Sequence, residues 1–314
     1  MKKILVTGAS GFVGSALCQT LISRGWPVTG SVRVKSAPFH YASGALSAST
    51  DWSGALDDCT CVIHLAARVH VMKESAADAL AAYRAVNVDA TMHLARQAAA
   101  SGVRRFIFVS SIKVNGEASG KHPFRASDAP APCDPYGQSK MEAEQQLQAF
   151  AATSGMELVI VRPPLVYGPG VRANFQRLME LIKSGWPLPF GAVGNRRSMV
   201  ALDNLIDLLL LCCTHPKAPG AVLLVSDDHD VSTAELIRML AAPMGRRARL
   251  LAVPTSLMRV AAAAIGKSAQ ADRVLGSLQI DVAPTRRLLD WHPPVAMQAA
   301  LNQTVTAFLN HIKS

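Results

Sequence analysis

The chain has 314 residues, of which 50% are hydrophobic, 17% are charged and 5% are aromatic, and its formal net charge is +10. This length allows one large α/β unit or two unequal domains, and this composition excludes disordered, collagen-like and coiled-coil proteins. The positive charge favours an anionic partner, such as a phosphorylated cofactor, a nucleotide or an acidic lipid surface. Nucleic acid is not expected to bind, because the basic clusters are short and are not interleaved with aromatic residues.

Apolar stretches at three places bear on localisation. Residues 4–6 end at Thr7 and Gly8 and therefore predict a first strand, not a signal peptide. Residues 205–213 are interrupted by Asp207 and are far fewer than the roughly 20 that span a bilayer. The alanine-rich residues 257–265 are expected to form a helix packed against the core. We expect a cytoplasmic protein with no integral membrane segment and, because its cysteines lack metal-ligand spacing, no metal.

Short apolar runs alternate with longer helical stretches through the first two thirds of the chain. The predicted strands are residues 3–7, 28–32, 61–65, 106–110 and 158–162, and the predicted helices are residues 12–24, 76–100 and 135–153. This alternation is typical of a parallel sheet covered by helices on both faces. After Pro163 and Pro164 the pattern becomes less regular, which indicates a second, smaller region. The sequence therefore predicts an α/β fold with a Rossmann-type doubly wound parallel sheet.

A glycine-rich turn joins the first predicted strand to the first predicted helix and has the spacing GxxGxxG. In this context Gly8 permits a tight turn, Gly11 lets the backbone approach a pyrophosphate, and Gly14 allows close packing of the helix. The turn therefore predicts a dinucleotide phosphate site at the helix N-terminus. The alternative is a glycine-rich turn that binds no ligand.

The end of the second predicted strand bears on which dinucleotide binds. An acid there would bond the adenosine ribose of NAD, whereas an arginine accommodates the 2′-phosphate of NADP. This chain has Arg33 near that place, with Lys35 behind it and no acid. NADP(H) is therefore favoured and NAD(H) is possible. The alternative is that Arg33 is a solvated loop charge.

Tyr136 and Lys140 are four positions apart, which is about one helical turn. An ammonium beside a phenol favours the ionised phenol, so we expect Lys140 to lower the pKa of Tyr136. Such a phenol exchanges a proton with a hydroxyl or carbonyl while a nicotinamide exchanges a hydride. The pair therefore predicts redox chemistry at a carbon that bears oxygen.

With this pair and the glycine loop, the chain resembles the extended short-chain dehydrogenases/reductases, specifically the nucleotide-sugar epimerases, dehydratases and reductases. The resemblance covers nearly the whole chain. It implies that Ser111, at the end of Phe108-Val109-Ser110-Ser111, is catalytic together with Tyr136 and Lys140. The cofactor contacts that it implies are Gly8, Ser10, Gly11, Phe12, Val13, Gly14, Arg33, Asp51, Trp52, Leu65, Ala66, Ala67, Asn87, Tyr136, Lys140 and Pro163.

The resemblance also implies groups that bind the substrate, on looser matches. Asn174 resembles an asparagine that contacts the nucleotide diphosphate, and Arg197 resembles the arginine that clamps it, with Arg196 as the alternative. The substrate contacts that it implies are Ser111, Lys113, Asn115, Asn174, Arg197 and Arg273.

Residues 110–117 look most like a branch of bacterial surface-polysaccharide enzymes that act on UDP-linked 4-keto-6-deoxy-hexosamines. The leading expectation is reduction of the C4 ketone by NADPH, since Arg33 favours a cofactor that is consumed. The first alternative is a UDP-glucose or UDP-N-acetylglucosamine 4-epimerase with tightly bound NAD. A non-catalytic dinucleotide sensor is an alternative of another class. Dehydration is disfavoured, because Ile112 and Lys113 stand where dehydratases carry an acidic pair.

The resemblance further implies how the chain is divided and assembled. Residues 1–165 are expected to form the NAD(P)-binding domain, with segments around 198–225 returning to it, and residues 166–314 to bind mainly the UDP-sugar substrate. Helices that flank the cofactor sheet, 76–100 and 135–153, are expected to form the interface of a homodimer.

Overall fold

The structure is a computed structural model that describes residues 3–69 and 79–313. Its strands are β1 (Lys3–Thr7), β2 (Val28–Val32), β3 (His40–Ala42), β4 (Cys59–His64), β5 (Arg105–Val109), β6 (Glu157–Arg162), β7 (Leu165–Tyr167), β8 (Met199–Ala201) and β9 (Val222–Leu224). Its α-helices are α1 (Phe12–Ser23), α2 (Ser53–Leu56), α3 (Ala79–Arg84), α4 (Ala90–Ala100), α5 (Pro135–Ser154), α6 (Ala173–Ser184), α7 (Leu202–Thr214), α8 (Thr233–Ala241), α9 (Thr255–Ala264), α10 (Ser268–Leu275), α11 (Ala283–Leu289) and α12 (Met297–Lys313). Ala85–Asp89 form a π-helical turn, and Ile112–Val114 and Ala242–Met244 form 3-10 turns.

Seven of the described strands form one parallel sheet in the order β3-β2-β1-β4-β5-β6-β9. The chain moves outward from β1 to β3, crosses back to β4 and then moves outward in the other direction. This confirms the predicted α/β fold with a doubly wound parallel sheet. The order reverses between β1 and β4, and in such sheets ligands bind outside the carboxyl ends of the strands at that point.

The sheet is buried on both faces because its strands alternate between two apolar clusters. In β1, Ile4 and Val6 belong to the cluster under α1 and α7, whereas Leu5 belongs to the cluster under α4 and α5. All five residues of β5 are buried, as expected for a central strand with helices on either side. The rigid centre therefore holds the carboxyl ends of β1, β4 and β5 side by side.

The predicted strand boundaries agree closely with those of the structure. β1 and β2 begin and end where the sequence predicts, and β4, β5 and β6 differ from their predictions by one or two residues. The predicted helix 76–100 differs, since the π-helical turn separates α3 from α4 within it. Residues 76–78 of that prediction lie outside the described residues.

A third apolar cluster lies in the C-terminal part of the chain, where α6, α8 and α12 pack together. β7 pairs with β8 there, whereas β9 returns to the large sheet beside β6. Residues 257–265, expected to pack against the core as a helix, do form α9, but α9 has no buried residue, so that packing prediction is wrong. Among the described helices, none has the length and apolar character needed to cross a membrane.

Candidate active site

The glycine loop between β1 and α1 forms a cradle of backbone at the sheet's reversal point. Gly8 has a φ of +69°, in the left-handed region that favours glycine. A Cβ on Gly14 would lie 2.1 Å from the Gly8 carbonyl oxygen, so only glycine permits this packing. Gly11 is the N-cap of α1, no side chain caps the helix, and its first turn has no acid. The first N–H groups of α1 are therefore available to an anion.

The ends of β1 and β4 are tied together through the Thr7 hydroxyl. Its oxygen accepts the backbone N–H groups of Leu65 (3.2 Å) and Ala66 (3.1 Å) and lies 2.7 Å from Nδ1 of His64. Nε2 of His64 is in turn 2.9 Å from the Thr91 hydroxyl on α4. Burial lowers the pKa of His64 to about 3, so the ring is neutral.

A cleft of about 940 Å³ runs from this cradle to the ends of β5 and β6. The Oγ atom of Ser110 on its wall is buried and has no hydrogen-bond partner within the described part of the chain. The open helix N-terminus, the glycine cradle and this unpartnered oxygen fit a bound dinucleotide. Of the predicted cofactor contacts, those that line the cleft are Gly8, Ser10, Gly11, Phe12, Val13, Gly14, Arg33, Leu65, Ala66, Ala67, Tyr136, Lys140 and Pro163.

The remaining predicted cofactor contacts, Asp51, Trp52 and Asn87, do not line the cleft. Trp52 is 1% exposed and packs in the apolar core, and the exposed Asp51 carboxylate accepts the N–H of Ser53. Asn87 is fully buried on the π-helical turn and bonds both backbone groups of Arg68 (2.8 and 3.1 Å). Its amide nitrogen also donates to the hydroxyl of Ser139, which lies on α5 (2.9 Å). Asn87 therefore supports the cleft wall from behind.

The three predicted catalytic residues, Ser111, Tyr136 and Lys140, all line the same cleft. Ser111 ends the segment after β5 and caps the following 3-10 turn. Tyr136 and Lys140 lie on α5, whose N-terminus is fixed by Asp134, because the Asp134 carboxylate accepts the N–H of Gly137 at 2.7 Å. The helix therefore presents the phenol and the amine one turn apart, toward the strand end that carries Ser111.

Burial, and not the neighbouring amine, dominates the ionisation of Tyr136. Burial raises its pKa to about 12, Asp134 and Tyr83 act in the same direction, and contact with the Ser111 hydroxyl opposes them. The expected lowering by Lys140 is therefore wrong for the polypeptide by itself. At neutral pH the Tyr136 phenol is a proton donor.

Lys140 is directed into the protein, which explains its weak effect on the phenol. It is 1% exposed, its Nζ donates to the Val109 carbonyl at 2.9 Å, and it lies 4.3 Å from the centre of the Phe108 ring. Burial lowers its pKa to about 7, and the Glu144 carboxylate opposes that shift. Near neutral pH this amine is therefore close to its titration point.

A buried ion pair lies behind the catalytic helix. The Arg162 guanidinium, at the end of β6, donates from Nε to the Glu144 carboxylate of α5 at 2.9 Å, and the two side chains are 5% and 3% exposed. Arg162 also donates to Oδ1 of Asn115 (3.0 Å), whose own amide donates to the Arg125 carbonyl (2.8 Å). Asn115 is 3% exposed, so its placement differs from the predicted sugar contact. We call Asn115, Glu144 and Arg162 the inner network.

Four charged side chains form a second group beside Ser111, and we call it the mouth cluster. Lys113 pairs with the Asp134 carboxylate and with Glu117, 3.2 Å away. Arg273 donates to both oxygens of Glu117 at 3.1 and 3.0 Å. Although burial opposes it, these contacts lower the pKa of both carboxyl groups. The predicted substrate contacts Lys113 and Arg273 are thus each paired with an acid.

Of the predicted substrate contacts only Ser111 lines the cleft, and Lys113 and Arg273 lie outside its lining, as do those that remain. Arg197 donates from Nη1 to the carbonyls of Arg273 (2.6 Å) and Gly276 (3.1 Å), and burial lowers its pKa. Arg196, its alternative, is exposed. Asn174 is exposed in the first turn of α6. The structure therefore joins Arg197 to the mouth cluster through the Arg273 backbone and joins Asn174 to neither group.

Comparison of the sequence with known proteins identifies the family. A model of the NAD dependent epimerase/dehydratase family matches residues 4–225. The chain belongs to this family. A UDP-glucose 4-epimerase of Vibrio cholerae is 48% identical to it, over 98% of this chain and 96% of that protein.

Solved structures of other proteins share the fold over nearly the whole chain. A UDP-glucuronic acid 4-epimerase from Bacillus cereus in complex with NAD has a TM-score of 0.78 at 24% identity, covering 98% of this chain and 96% of that one. RMD from Pseudomonas aeruginosa complexed with NADPH has a TM-score of 0.74 at 22% identity, covering 98% and 99%. The predicted family is thus confirmed, and the chain is a nicotinamide-dependent enzyme.

Several groups that shape the site of this family member were not singled out from the sequence. Thr7 and His64 tie two strand ends together, and Glu144 and Arg162 form the buried pair. One signal was present for Glu144, since it follows Lys140 by four residues and therefore lies on the same face of the helix. The partner of Glu144, 18 residues further on, carries no such local signal.

Proposed function

We propose that this enzyme transfers a hydride at C4 of a UDP-linked hexose or hexosamine, with an NAD(P)(H) cofactor in the cleft. The observation that carries this proposal is the convergence of Ser111, Tyr136 and Lys140 in one cleft that begins at the glycine cradle. The 48% identity to a UDP-glucose 4-epimerase supports a UDP-sugar as the substrate. Residues 1–165, with β9 returning beside β6, would hold the cofactor, and residues 166–314 would bind mainly the sugar nucleotide.

The three residues have distinct tasks in this proposal. The bound nicotinamide supplies or accepts the hydride. In the reducing direction the Tyr136 phenol, which burial keeps protonated, gives its proton to the C4 oxygen, and the Ser111 hydroxyl donates a hydrogen bond to the same oxygen. Lys140 would hold the nicotinamide ribose, and the phenolate that remains regains its proton from solvent. A ketone, a hydride and a proton thus give one secondary alcohol.

Of the reactions that these residues can perform, we propose reduction of a UDP-linked 4-keto-6-deoxy-hexosamine by NADPH. The exposed Arg33 lines the cleft immediately after β2, where a 2′-phosphate would meet a cation. No acid stands there to bond an unmodified ribose. A cofactor with this phosphate serves as a consumed reductant, which fits a reductase.

The second candidate is 4-epimerisation of UDP-glucose or UDP-N-acetylglucosamine. The specific observation in its favour is the epimerase of Vibrio cholerae, which is 48% identical over nearly the full length of both chains. An epimerase uses the same three residues but oxidises and then reduces C4 on one retained cofactor. Tyr136 would act first as the base that accepts the C4 hydroxyl proton and then as the acid that returns it.

One comparison separates the two reactions. Purified enzyme is incubated with UDP-N-acetylglucosamine or UDP-glucose without added cofactor, and in parallel with a UDP-4-keto-6-deoxy-hexosamine and NADPH. Formation of the 4-epimer in the first reaction would overturn the reductase proposal. Stoichiometric consumption of NADPH and of the ketone in the second would support it.

The role of Tyr136 is tested by replacement with phenylalanine. We expect Tyr136→Phe to lower kcat by about a thousandfold, as for the loss of a general acid, with dinucleotide binding retained. The matched control is Tyr83→Phe, since that ring is buried and its centre lies 6.2 Å from the centre of the half-buried Tyr136 ring. A non-catalytic sensor would lose nothing measurable in either variant.

The cofactor preference is tested at Arg33. We expect Arg33→Asp to raise the KM for NADPH by at least about tenfold and to leave or improve use of NADH, since a paired phosphate would lose its cation. Lys35→Asp is the control, because Lys35 is exposed nearby but does not line the cleft. Equal effects on both cofactors would contradict a 2′-phosphate contact.

We also propose a homodimer that forms through the helices flanking the sheet, namely α4 and α5 with α3. These helices pack against one another on one face of the sheet. Light scattering during size-exclusion chromatography measures the mass of the protein. A monomeric mass would overturn the proposed homodimer.

A further inference from the structure

The helix α9 carries an apolar stripe on its exposed side. Leu257 is 58% exposed and Val260 is 65% exposed, and Ala261 and Ala264 are exposed as well. These positions follow the spacing i, i+3, i+4, i+7 and therefore lie on one helical face. Ile265, 67% exposed, continues the stripe at the end of the helix.

The segment before α9 adds cations to the same region. Residues alternate there, with Ala248 and Leu250 packing against the third apolar cluster while Arg247, Arg249 and Leu251 are exposed. This alternation is typical of an extended segment with one face on the core and the other in solvent. Arg247 and Arg249 thus lead directly into the apolar Leu251 and α9.

A neighbouring loop extends this region with a tryptophan. Trp186 is 72% exposed and lies two residues before Leu188. The Leu188 backbone donates to the Arg249 carbonyl at 2.8 Å and accepts the Leu251 N–H at 2.9 Å. We call Arg247, Arg249, Leu251, Leu257, Val260 and Ile265 the α9 surface, with Trp186 at its margin.

The charge of the α9 surface is positive and largely unneutralised. Arg246, Arg247, Arg249 and Lys267 are exposed, and within the described residues none of them forms an ion pair. The nearby Asp272 is already paired with Arg259 at 3.4 Å. The surface therefore presents apolar side chains together with several free cations.

We propose that the α9 surface docks the enzyme on the anionic face of a lipid bilayer, lying in the interface without crossing it. An apolar stripe flanked by arginine and lysine is the pattern of an interfacial helix, and a tryptophan at the margin suits the headgroup level. Each cation near an anionic leaflet strengthens the binding. This inference does not depend on which reaction the cleft performs.

The charges also argue against a second copy as the occupant of this surface. In a two-fold dimer the same patch meets itself, so the unpaired Arg247 and Arg249 of one subunit would face the same positive patch on the other. An anionic membrane neutralises these cations, and its headgroup region accepts the apolar stripe. The charge complementarity therefore selects the lipid surface.

The proposal is tested by sedimenting the full chain with vesicles. We expect the partition coefficient to be at least about tenfold higher on vesicles that contain phosphatidylglycerol than on pure phosphatidylcholine, and to fall as salt is raised. Leu257→Ser/Val260→Ser and, separately, Arg247→Ala/Arg249→Ala are each expected to lower it by about tenfold. Dinucleotide binding verifies that each variant is folded.

Two matched controls accompany these variants. Ile22→Ser removes an apolar side chain that is 47% exposed on α1, and Lys121→Ala/Lys217→Ala removes the same charge from exposed sites elsewhere. Both are expected to keep wild-type partitioning. Equal binding to neutral and anionic vesicles, or equal loss in the controls, would overturn the proposal.

A measurement on the wild-type chain covers the case in which a variant fails to fold. Brominated lipids quench tryptophans at the interface, so they are expected to quench wild-type fluorescence more than that of Trp186→Phe. Absence of this difference would overturn docking through the α9 surface. Sedimentation velocity detects the competing outcome, a dimer that Leu257→Ser/Val260→Ser dissociates and that binds no vesicles.

Discussion

The inner network and the mouth cluster flank the same catalytic residues but differ in their access to water. Glu144 and Arg162 in the inner network are 3% and 5% exposed, whereas Lys113 and Glu117 in the mouth cluster are 30% and 26% exposed. A buried pair has no water to replace a lost partner, so each charge depends on the other. Charges at the mouth can exchange partners at little cost. Similar ion pairs therefore form a fixed framework in the inner network and an adaptable one in the mouth cluster.

The two groups also act on α5 at different points. Asp134 belongs to the mouth cluster and caps the helix two residues before Tyr136, while Glu144 anchors the same helix one turn after Lys140. The catalytic phenol and amine are thus held from both sides. The difference between the two anchors can be measured by removing one charge at a time.

The largest effect is expected at the buried pair. We expect Glu144→Gln to lower the free energy of unfolding by about 3–5 kcal/mol, because it leaves the Arg162 charge buried without compensation. Chemical denaturation measures it. The control is Glu142→Gln on the same helix, whose carboxylate pairs with Arg84 at the surface (2.6 Å). A similar loss in both variants would contradict the distinction between inner and outer pairs.

At Lys140 we expect an intermediate change in the free energy of unfolding, and here the substitution stabilises the protein. The folded pKa of about 7 lies below the ordinary value of 10.5, so the unfolded chain binds more protons between these values, and wild-type stability rises with pH across this window. Lys140→Met is therefore expected to be more stable than wild type by on the order of 2 kcal/mol at pH 7. The gain should vanish as the pH approaches 10.5.

Thermal unfolding across this pH range measures the Lys140 effect, with Lys121→Met as the control at an exposed lysine. A stability difference that stays constant with pH would show that packing, and not the buried amine, causes it. The experiment reports on the inner network, because its Glu144 carboxylate opposes the lowering of the Lys140 pKa by burial.

The smallest effect on stability is expected in the mouth cluster. Glu117→Gln should change the free energy of unfolding by less than about 1 kcal/mol, since its partners remain partly solvated. It removes one of the two carboxylates that pair with Lys113 and Arg273 and leaves Asp134, so we expect the KM for the UDP-sugar to fall while kcat changes little. A higher KM would mean that the cluster orders the mouth instead of holding cations ready for a diphosphate.

Local patterns predicted the parts of the molecule that depend on near neighbours in the chain. The end of β1 follows from a short apolar run that stops before Gly8, the end of β2 from the charge at Arg33, and the spacing of Tyr136 and Lys140 from one helical turn. The glycine loop was predicted for the same reason, because its strand, turn and helix are contiguous.

Long-range contacts decided the features that the sequence did not reveal. Asn115 resembled a substrate contact, but its partner Arg162 is 47 residues away, and only the fold brings them together. The π-helical turn within the predicted helix 76–100 places Asn87 against Arg68 and Ser139, which hydropathy periodicity does not show. α9 has the period of a packed helix, but its apolar side faces outward.

The ring of His64 at the end of β4 has a fixed tautomer. The Thr7 oxygen already accepts two backbone N–H groups, so its hydroxyl hydrogen points to Nδ1, and the ring proton must lie on Nε2, toward Thr91. Protonation of Nδ1 would set two donors against each other at a buried site. With a folded pKa of about 3, stability is lost as the pH falls from about 6.5 through 3. Acid is therefore expected to destabilise the junction between the ends of β1 and β4, beside the glycine loop, by protonating His64.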